Sequence, residues 1–247
     1  KKIFINILEK RGFKKKSKFD KTFIDGALTM CLSKIKKGNL LRIIQVGAND
    51  GRTSDYLSGF LKKYGANISI LFVEPQINLK TQLLANTKNI CKKTFYEFVA
   101  VTRSKSKDIK LYVPKKEKMP NASLKASFEI EQIIKRFKLY TKIKNPILNK
   151  DYVAIKVQQK TLSELAKKWD DNLTNEKICD VLIVDAEGYD DEVIYSLDNK
   201  KKLPDLISFE WKNLSEQKYN TLQNYLFLDG FIVMKWSKAD AVAIRTY

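Results

Sequence analysis

Histidine is absent from all 247 residues. That removes the commonest general base and the imidazole metal ligand, so proton transfer must rest on carboxylates, Lys, Tyr or Cys. Cysteine is nearly absent: Cys31, Cys91 and Cys179 are odd in number, far apart and free of metal-ligand spacing. Cys91 and Cys179 sit in or beside apolar runs, where a free thiol behaves as a small hydrophobe, and the expected compartment is reducing and cytoplasmic. No apolar run approaches the roughly 18 residues of a membrane span, and no charged–apolar–small signal opens the chain. Arginine is scarce, 6 residues against 41 lysines. Because Arg is the residue for bidentate phosphate and base recognition, no specific nucleic-acid partner is expected despite a formal charge of +19. A solvated Lys-rich surface is the simpler reading; an acidic substrate or an anionic membrane surface is the alternative.

What remains, 44% hydrophobic and 11% aromatic residues, describes a globular chain long enough for one sizeable domain over 1–247. Residues 1–38 read as a basic helical lead, with helical spacing from Phe23 to Ile35 and Gly38 as the stop. Strands are predicted at Leu41–Val46, Ile68–Val73, Tyr96–Val101, Asp108–Val113, Tyr152–Gln158, Asp180–Val184 and Leu206–Phe209. Phe231–Met234 and Ala241–Arg245 read as a closing antiparallel pair. Helices are predicted at Asp55–Tyr64 with Ser54 as N-cap, Asn78–Asn86, Leu162–Trp169, Asp191–Leu197 and Tyr219–Leu226. Thr161 and Glu164 have the spacing of a capping box. Residues 103–150 are irregular, with one amphipathic stretch from Glu129 to Tyr140, and read as an insertion where substrate selection can reside. Strands alternating with helices imply a doubly wound α/β sheet.

The chemistry is concentrated at strand ends. The run Leu41–Val46 leads into Gly47-Ala48-Asn49-Asp50-Gly51, and Leu71-Phe72-Val73 ends at Glu74-Pro75, with Glu74 23 residues after Gly51. A glycine turn after a buried strand lets backbone approach a ligand, and a carboxylate at the next strand end can accept from two vicinal hydroxyls of a ribose. The turn is a poor dinucleotide fingerprint. Asn49 stands where the second glycine of G-x-G-x-x-G admits a pyrophosphate, and Arg52 replaces the last glycine. A polar Asn49 suits a sulfonium amino acid, whose ammonium and carboxylate want polar partners, and Asn tolerates positive φ.

Taken in order, Ile44-Gln45-Val46-Gly47-Ala48-Asn49-Asp50-Gly51, Val73-Glu74-Pro75-Gln76, Val99-Ala100-Val101-Thr102, Thr161-Leu162-Ser163-Glu164-Leu165, Val184-Asp185-Ala186-Glu187-Gly188-Tyr189-Asp190 and Pro204-Asp205-Leu206-Ile207-Ser208-Phe209-Glu210 resemble the FkbM-type class I methyltransferases over roughly residues 40–215. The resemblance implies a mostly parallel, seven-stranded Rossmann-like methyltransferase sheet with helices on both faces. It also implies S-adenosyl-L-methionine as cofactor and O-methylation of a sugar or another small hydroxylated acceptor. By the same resemblance Gln45, Gly47, Ala48, Asn49, Asp50 and Gly51 hold the methionine part and Glu74 the ribose, with Pro75 and Ala100 beside the donor.

The chain departs from the family pattern in three places. Gln45 stands where many such loops carry an acid, Ile183 where a Lys often precedes the aspartate, and Trp211-Lys212 where a histidine often follows the glutamate. A histidine base therefore cannot be carried over, and Asp185, Glu187 and Glu210 are the catalytic candidates. Asp185 can orient or deprotonate a hydroxyl, or bind a divalent cation with the two glutamates, although no resident metal is assigned. The bland readings are that Asp185 caps the next helix and that an acid at Asp190 answers the helix dipole. Asn121-Ala122-Ser123-Leu124 is a further contact candidate or a simple turn. The rival functions are a nucleic-acid methyltransferase and a silent binding protein of the same fold.

Overall fold

Ile68–Val73 is buried at every position, and the reason is visible in how its side chains divide. Successive strand residues point to opposite faces, so Leu71 and Val73 join one core while Ile68, Ile70 and Phe72 join another. In the computed structural model, which describes residues 21–52, 57–103, 108–115, 126–129, 152–169, 177–197 and 203–246, this alternation runs across the central sheet.

The elements in chain order are α1 (Lys21–Ser33), β1 (Leu41–Val46), α2 (Leu57–Tyr64), β2 (Ile68–Val73), α3 (Lys80–Thr87), β3 (Lys93–Glu97), β4 (Ala100–Val101), β5 (Asp108–Pro114), β6 (Tyr152–Lys160), α4 (Leu162–Trp169), β7 (Val181–Val184), α5 (Asp190–Tyr195), β8 (Leu206–Glu210), α6 (Glu216–Leu228), β9 (Phe231–Lys235) and β10 (Asp240–Arg245). Seven strands form one sheet in the order β3-β2-β1-β7-β8-β10-β9. All pairings are parallel except those of β10, which runs against both β8 and β9. Helices α4, α5 and α6 pack on one face through Leu162, Leu165, Val193, Ile194 and Leu222. Helices α1 and α2 cover the other through Ile24, Leu28, Leu57 and Phe60. The expected α/β architecture, a mostly parallel seven-stranded Rossmann-like sheet with helices on both faces, is the one observed. No helix among the described residues is long and apolar enough to cross a membrane.

Several local expectations hold to the residue. β1 and β2 have the predicted bounds, the last two strands pair antiparallel, and α4 opens with the capping box. There the Thr161 N–H donates to the Glu164 carboxylate at 2.8 Å, and the Glu164 N–H donates to Thr161 Oγ1 at 3.2 Å. The third strand is a correction. It spans Lys93–Glu97 rather than Tyr96–Val101, and the chain leaves the large sheet at Phe98. As an edge strand β3 is only half covered, so Lys93, Thr94 and Glu97 dilute its apolar signal. The apolar run beyond it, Ala100–Val101, pairs in parallel with Gln159–Lys160 of β6. β6 also pairs antiparallel with β5, giving a small second sheet β4-β6-β5.

Of the segment 103–150, Arg103 and residues 108–115 and 126–129 are described, and the Tyr112–Ser127 bridge ties the last two stretches together. The lead before Lys21, the Ser54 cap, Asn121–Leu124 and the helix predicted from Glu129 to Tyr140 (beyond Glu129 itself) lie outside the described residues.

Candidate active site

β1, β2 and β7 are parallel neighbours, so their carboxyl ends open on the same side, and the turns that follow them enclose a cleft of about 350 Å³. Gly47 makes their closeness possible. Its φ is +80°, and a Cβ there would lie 1.9 Å from the Asp185 carbonyl oxygen. The Gly47 and Ala48 N–H groups both donate to the Val73 carbonyl, and the Asp185 N–H donates to the Val46 carbonyl. The turn after β1 is thus pinned to the ends of both neighbouring strands.

Glu74 is 3% exposed. Its Oε2 accepts the Asn49 N–H at 2.8 Å, and its Oε1 accepts the backbone N–H of Gln76 at 3.0 Å and the Gln76 side-chain amide at 3.2 Å. Burial pushes the Glu74 carboxyl above its ordinary value, the hydrogen bonds from Gln76 and Asn49 oppose the shift, and the charge of Asp185 adds to it. Asn49 itself has φ +50°, the left-handed conformation expected of it. Gln45 lies in register between Phe72 and Ile183, is 6% exposed, and its buried Oε1 has no hydrogen-bond partner among the described residues.

Opposite this loop stand Asp185, Glu187 and Glu210. Asp185 follows β7 and is exposed to the cleft. Glu187 has φ +52°, a strained conformation costing on the order of 1 kcal/mol, and its carbonyl accepts the Ser127 hydroxyl at 3.2 Å. The Asn213 side-chain amide donates to both Glu187 and Glu210, joining the two carboxylates. Among the described residues no three acidic or thiol side chains group as metal ligands.

Asp190 does more than answer a helix dipole. It is wholly buried, and its two oxygens accept the N–H groups of Glu210 at 3.0 Å and Gly188 at 3.3 Å, tying the end of β8 to the turn after β7. Burial holds its carboxyl well above the ordinary range, and Asp185 raises it further.

The cleft thus gathers Gln45, Gly47, Ala48, Asn49, Glu74, Pro75, Ala100, Asp185, Glu187 and Glu210. Asp50 and Gly51 are not among the residues lining it. Asp50 Oδ1 accepts the Arg52 N–H, its carbonyl accepts from Asn86, and Gly51 is pressed against Thr87 of α3. Both serve to close the turn.

Sequence reasoning did not single out Gln76, Asn213 or Phe128 as site residues, nor Asp190 as more than a helix-start acid. Gln76 and Asp190 carried a signal, as the last residues of Val73-Glu74-Pro75-Gln76 and Asp185-Ala186-Glu187-Gly188-Tyr189-Asp190. The thiols contribute no nucleophile: burial pushes Cys31 and Cys91 up to about 12, and Cys179 is raised as well.

Residues 45–235 match the methyltransferase FkbM domain. The chain is a member of the FkbM methyltransferase family. S-adenosylmethionine is accordingly its methyl donor, and the residues present fit that group. The Gln45 Oε1 offers an acceptor to an ammonium, the buried Glu74 offers one to hydroxyls, and Gly47 keeps side-chain bulk out of the turn. About 350 Å³ lies within the ordinary range of about 300–1,000 Å³ for a small-molecule pocket.

Solved structures similar to this FkbM methyltransferase include the fibrillarin pre-rRNA processing protein of Methanococcus jannaschii, with 12% identity, a TM-score of 0.43, and coverage of 86% of this chain and 70% of that one. An O-methyltransferase from Bacillus cereus in complex with SAH is 8% identical, with a TM-score of 0.46 and coverage of 98% and 88%. A TDP-rhamnose 3'-O-methyltransferase of calicheamicin biosynthesis is 11% identical, with a TM-score of 0.44 and coverage of 90% and 77%. No curated protein matches the chain significantly.

Replacing Glu74 by Ala in this family member is expected to weaken S-adenosylmethionine binding by about 1–3 kcal/mol, the scale of a lost charged hydrogen-bond partner. Calorimetric titration checks this. Unchanged affinity in a folded variant removes Glu74 from the donor site.

Proposed function

We propose that this methyltransferase O-methylates a sugar or another small hydroxylated acceptor, with Asp185 receiving or orienting the hydroxyl proton. The observation that carries the reading is the place of Asp185: exposed in the cleft, at the carboxyl end of β7, against the Gly47 turn. Among the described residues the lining contains no Lys or Tyr, and the chain contains no His, so of the described lining groups a carboxylate is the one able to take a proton.

When bound, S-adenosylmethionine supplies a methyl group on a sulfonium, open to in-line displacement. Gln45 and the Gly47–Asn49 turn hold the amino-acid end of the donor, and Glu74 accepts from a ribose hydroxyl through the Oε2 lone pair left over after the Asn49 and Gln76 bonds. Asp190 fixes Gly188 and the Glu210 backbone, and Asn213 holds the Glu187 and Glu210 side chains, so the acceptor side of the cleft is organised before substrate arrives. A nucleic-acid acceptor is disfavoured. Amino-methylating enzymes of that kind carry an Asn/Asp-Pro-Pro-aromatic turn where this chain has Asp185-Ala186-Glu187-Gly188.

The test is transfer of labelled methyl from S-adenosylmethionine to a panel of sugars and glycosides, beside calorimetric titration of the donor. Asp185→Asn is expected to lower turnover about 100-fold, the lower end of what a positioned acid–base group contributes, with donor affinity unchanged. Full activity in that variant leaves Asp185 structural. Absence of both heat and methyl transfer in the wild type overturns the reading.

A further inference from the structure

A second cleft, of about 590 Å³, opens between α5 and α6. Tyr195 and Tyr225 meet edge to face in its wall, with ring centroids 5.0 Å apart and an interplanar angle of 88°. Arg103 lies over the Tyr195 ring, 5.4 Å from its centroid, and its Nε is 2.9 Å from a Glu192 oxygen. Lys218 bonds Glu129 at 3.0 Å and stands 3.8 Å from Asp191 Oδ2. Asp191 is only 4% exposed, lines this cleft, and its Oδ1 has no hydrogen-bond partner among the described residues. Nothing in the proton transfer described above uses these groups.

The chemistry of the wall selects a ligand class. A phosphate site needs an excess of cation, and an ammonium site needs an excess of anion. The residues that line this cleft include two cations, Arg103 and Lys218, and two carboxylates, Asp191 and Glu192, so its wall carries both signs in balance. Donors and acceptors side by side, with two aromatic rings and the polar Gln217 and Thr221 at the border, suit a neutral ring bearing several hydroxyls.

The two clefts also share their borders. Val101, Phe128 and Val193 line the first. Their close neighbours Arg103 and Glu192 line the second, and Glu129 grips its Lys218. Three stretches of chain therefore run from one cleft to the other. The first, near the low end of the size range for a single small ligand, must hold the donor as well as the reacting hydroxyl. An acceptor larger than one ring has to extend past it.

We infer that the second cleft seats a further, non-reacting sugar unit of the acceptor, so that the substrate is a linked oligosaccharide or glycoside rather than a free monosaccharide. This rests on the sugar O-methylation reading given above. Binding energy from the remote unit then aligns the reacting hydroxyl beside Asp185, which lets a longer acceptor gain in turnover as well as in affinity.

Thr221 is exposed on α6 and borders the second cleft only, so Thr221→Trp fills the cleft without touching the core. The probe is an array of immobilised mono- to pentasaccharides, read with labelled protein saturated with S-adenosylhomocysteine. Methyl transfer to the same sugars is measured in parallel, and a thermal shift with the donor confirms the fold. Expected is retention on linked sugars, reduced at least tenfold by Thr221→Trp, with transfer to linked acceptors falling likewise and donor binding unchanged. Transfer to monosaccharides that equals transfer to linked sugars, or a Thr221→Trp variant indistinguishable from wild type, overturns the second-cleft assignment and leaves O-methylation standing. No transfer to any sugar overturns the sugar acceptor and the second-cleft assignment together.

Discussion

Gly47→Ala is expected to lose about 3 kcal/mol or more of folding stability and, with it, donor binding. The added Cβ would stand 1.9 Å from the Asp185 carbonyl oxygen and 2.8 Å from its carbon, which are backbone atoms that cannot rotate away. Relief requires β1 and β7 to part where the Asp185 N–H bonds Val46. Gly38→Ala provides the internal comparison. It too has positive φ, +91°, but nothing among the described residues lies within 4 Å of the added atom. That variant is expected to cost about 1 kcal/mol, for backbone strain alone. Urea unfolding of the two proteins measures the difference. Equal losses would show that the close approach of the two turns matters little.

Asp190→Ala is expected to cost about 3 kcal/mol at acidic pH, because it strands the N–H groups of Gly188 and Glu210 at about 1–3 kcal/mol each. The pH dependence has a definite sign. Burial first, and the charge of Asp185 second, raise the Asp190 carboxyl well above the ordinary aspartate value of 3.8. A group raised on folding contributes stability that is fully present below that ordinary value and is lost as pH rises through the folded one. The gap in unfolding free energy between wild type and Asp190→Ala should therefore be widest near pH 4 and narrow as pH rises. Denaturant titrations across that interval read it directly. A gap that widens with pH would mean that Asp190 is held as a favoured carboxylate by its two donors.

Where the sequence was legible, the physics was local or symmetric. β1 and β2 are covered on both faces and mostly apolar, so their runs begin and end with the strands themselves. The Thr161–Glu164 cap depends on residues three apart and is found as expected. Glu74, Asp185, Glu187 and Glu210 were legible as strand-end acids because parallel sheets put ligands at that edge. Their states were not. That Glu74 is buried under two backbone donors follows from the turn folding back onto it, and that turn is shaped by Gly47 meeting Asp185 some 138 residues later in the chain. Asn213 was invisible for the same reason, since it lies in a short turn after β8 and matters only where β7 and β8 end side by side. The misplacement of the third strand records the opposite failure: Val99-Ala100-Val101 is the stronger apolar signal, but it belongs to a different sheet.

The position of β10 has a consequence for how the chain assembles. β9 forms its ladder with β10 alone, and β10 separates it from β8. Order along the chain and order across the sheet therefore diverge at this end. Until Asp240–Arg245 has inserted, β8 is left with an open edge and β9 has no place in the sheet. Unpaired edges of this kind recruit other chains, so without β10 in place the edge of β8 is open to pairing with another chain. Insertion of β10 closes that edge, since it pairs with β8 on one side and β9 on the other.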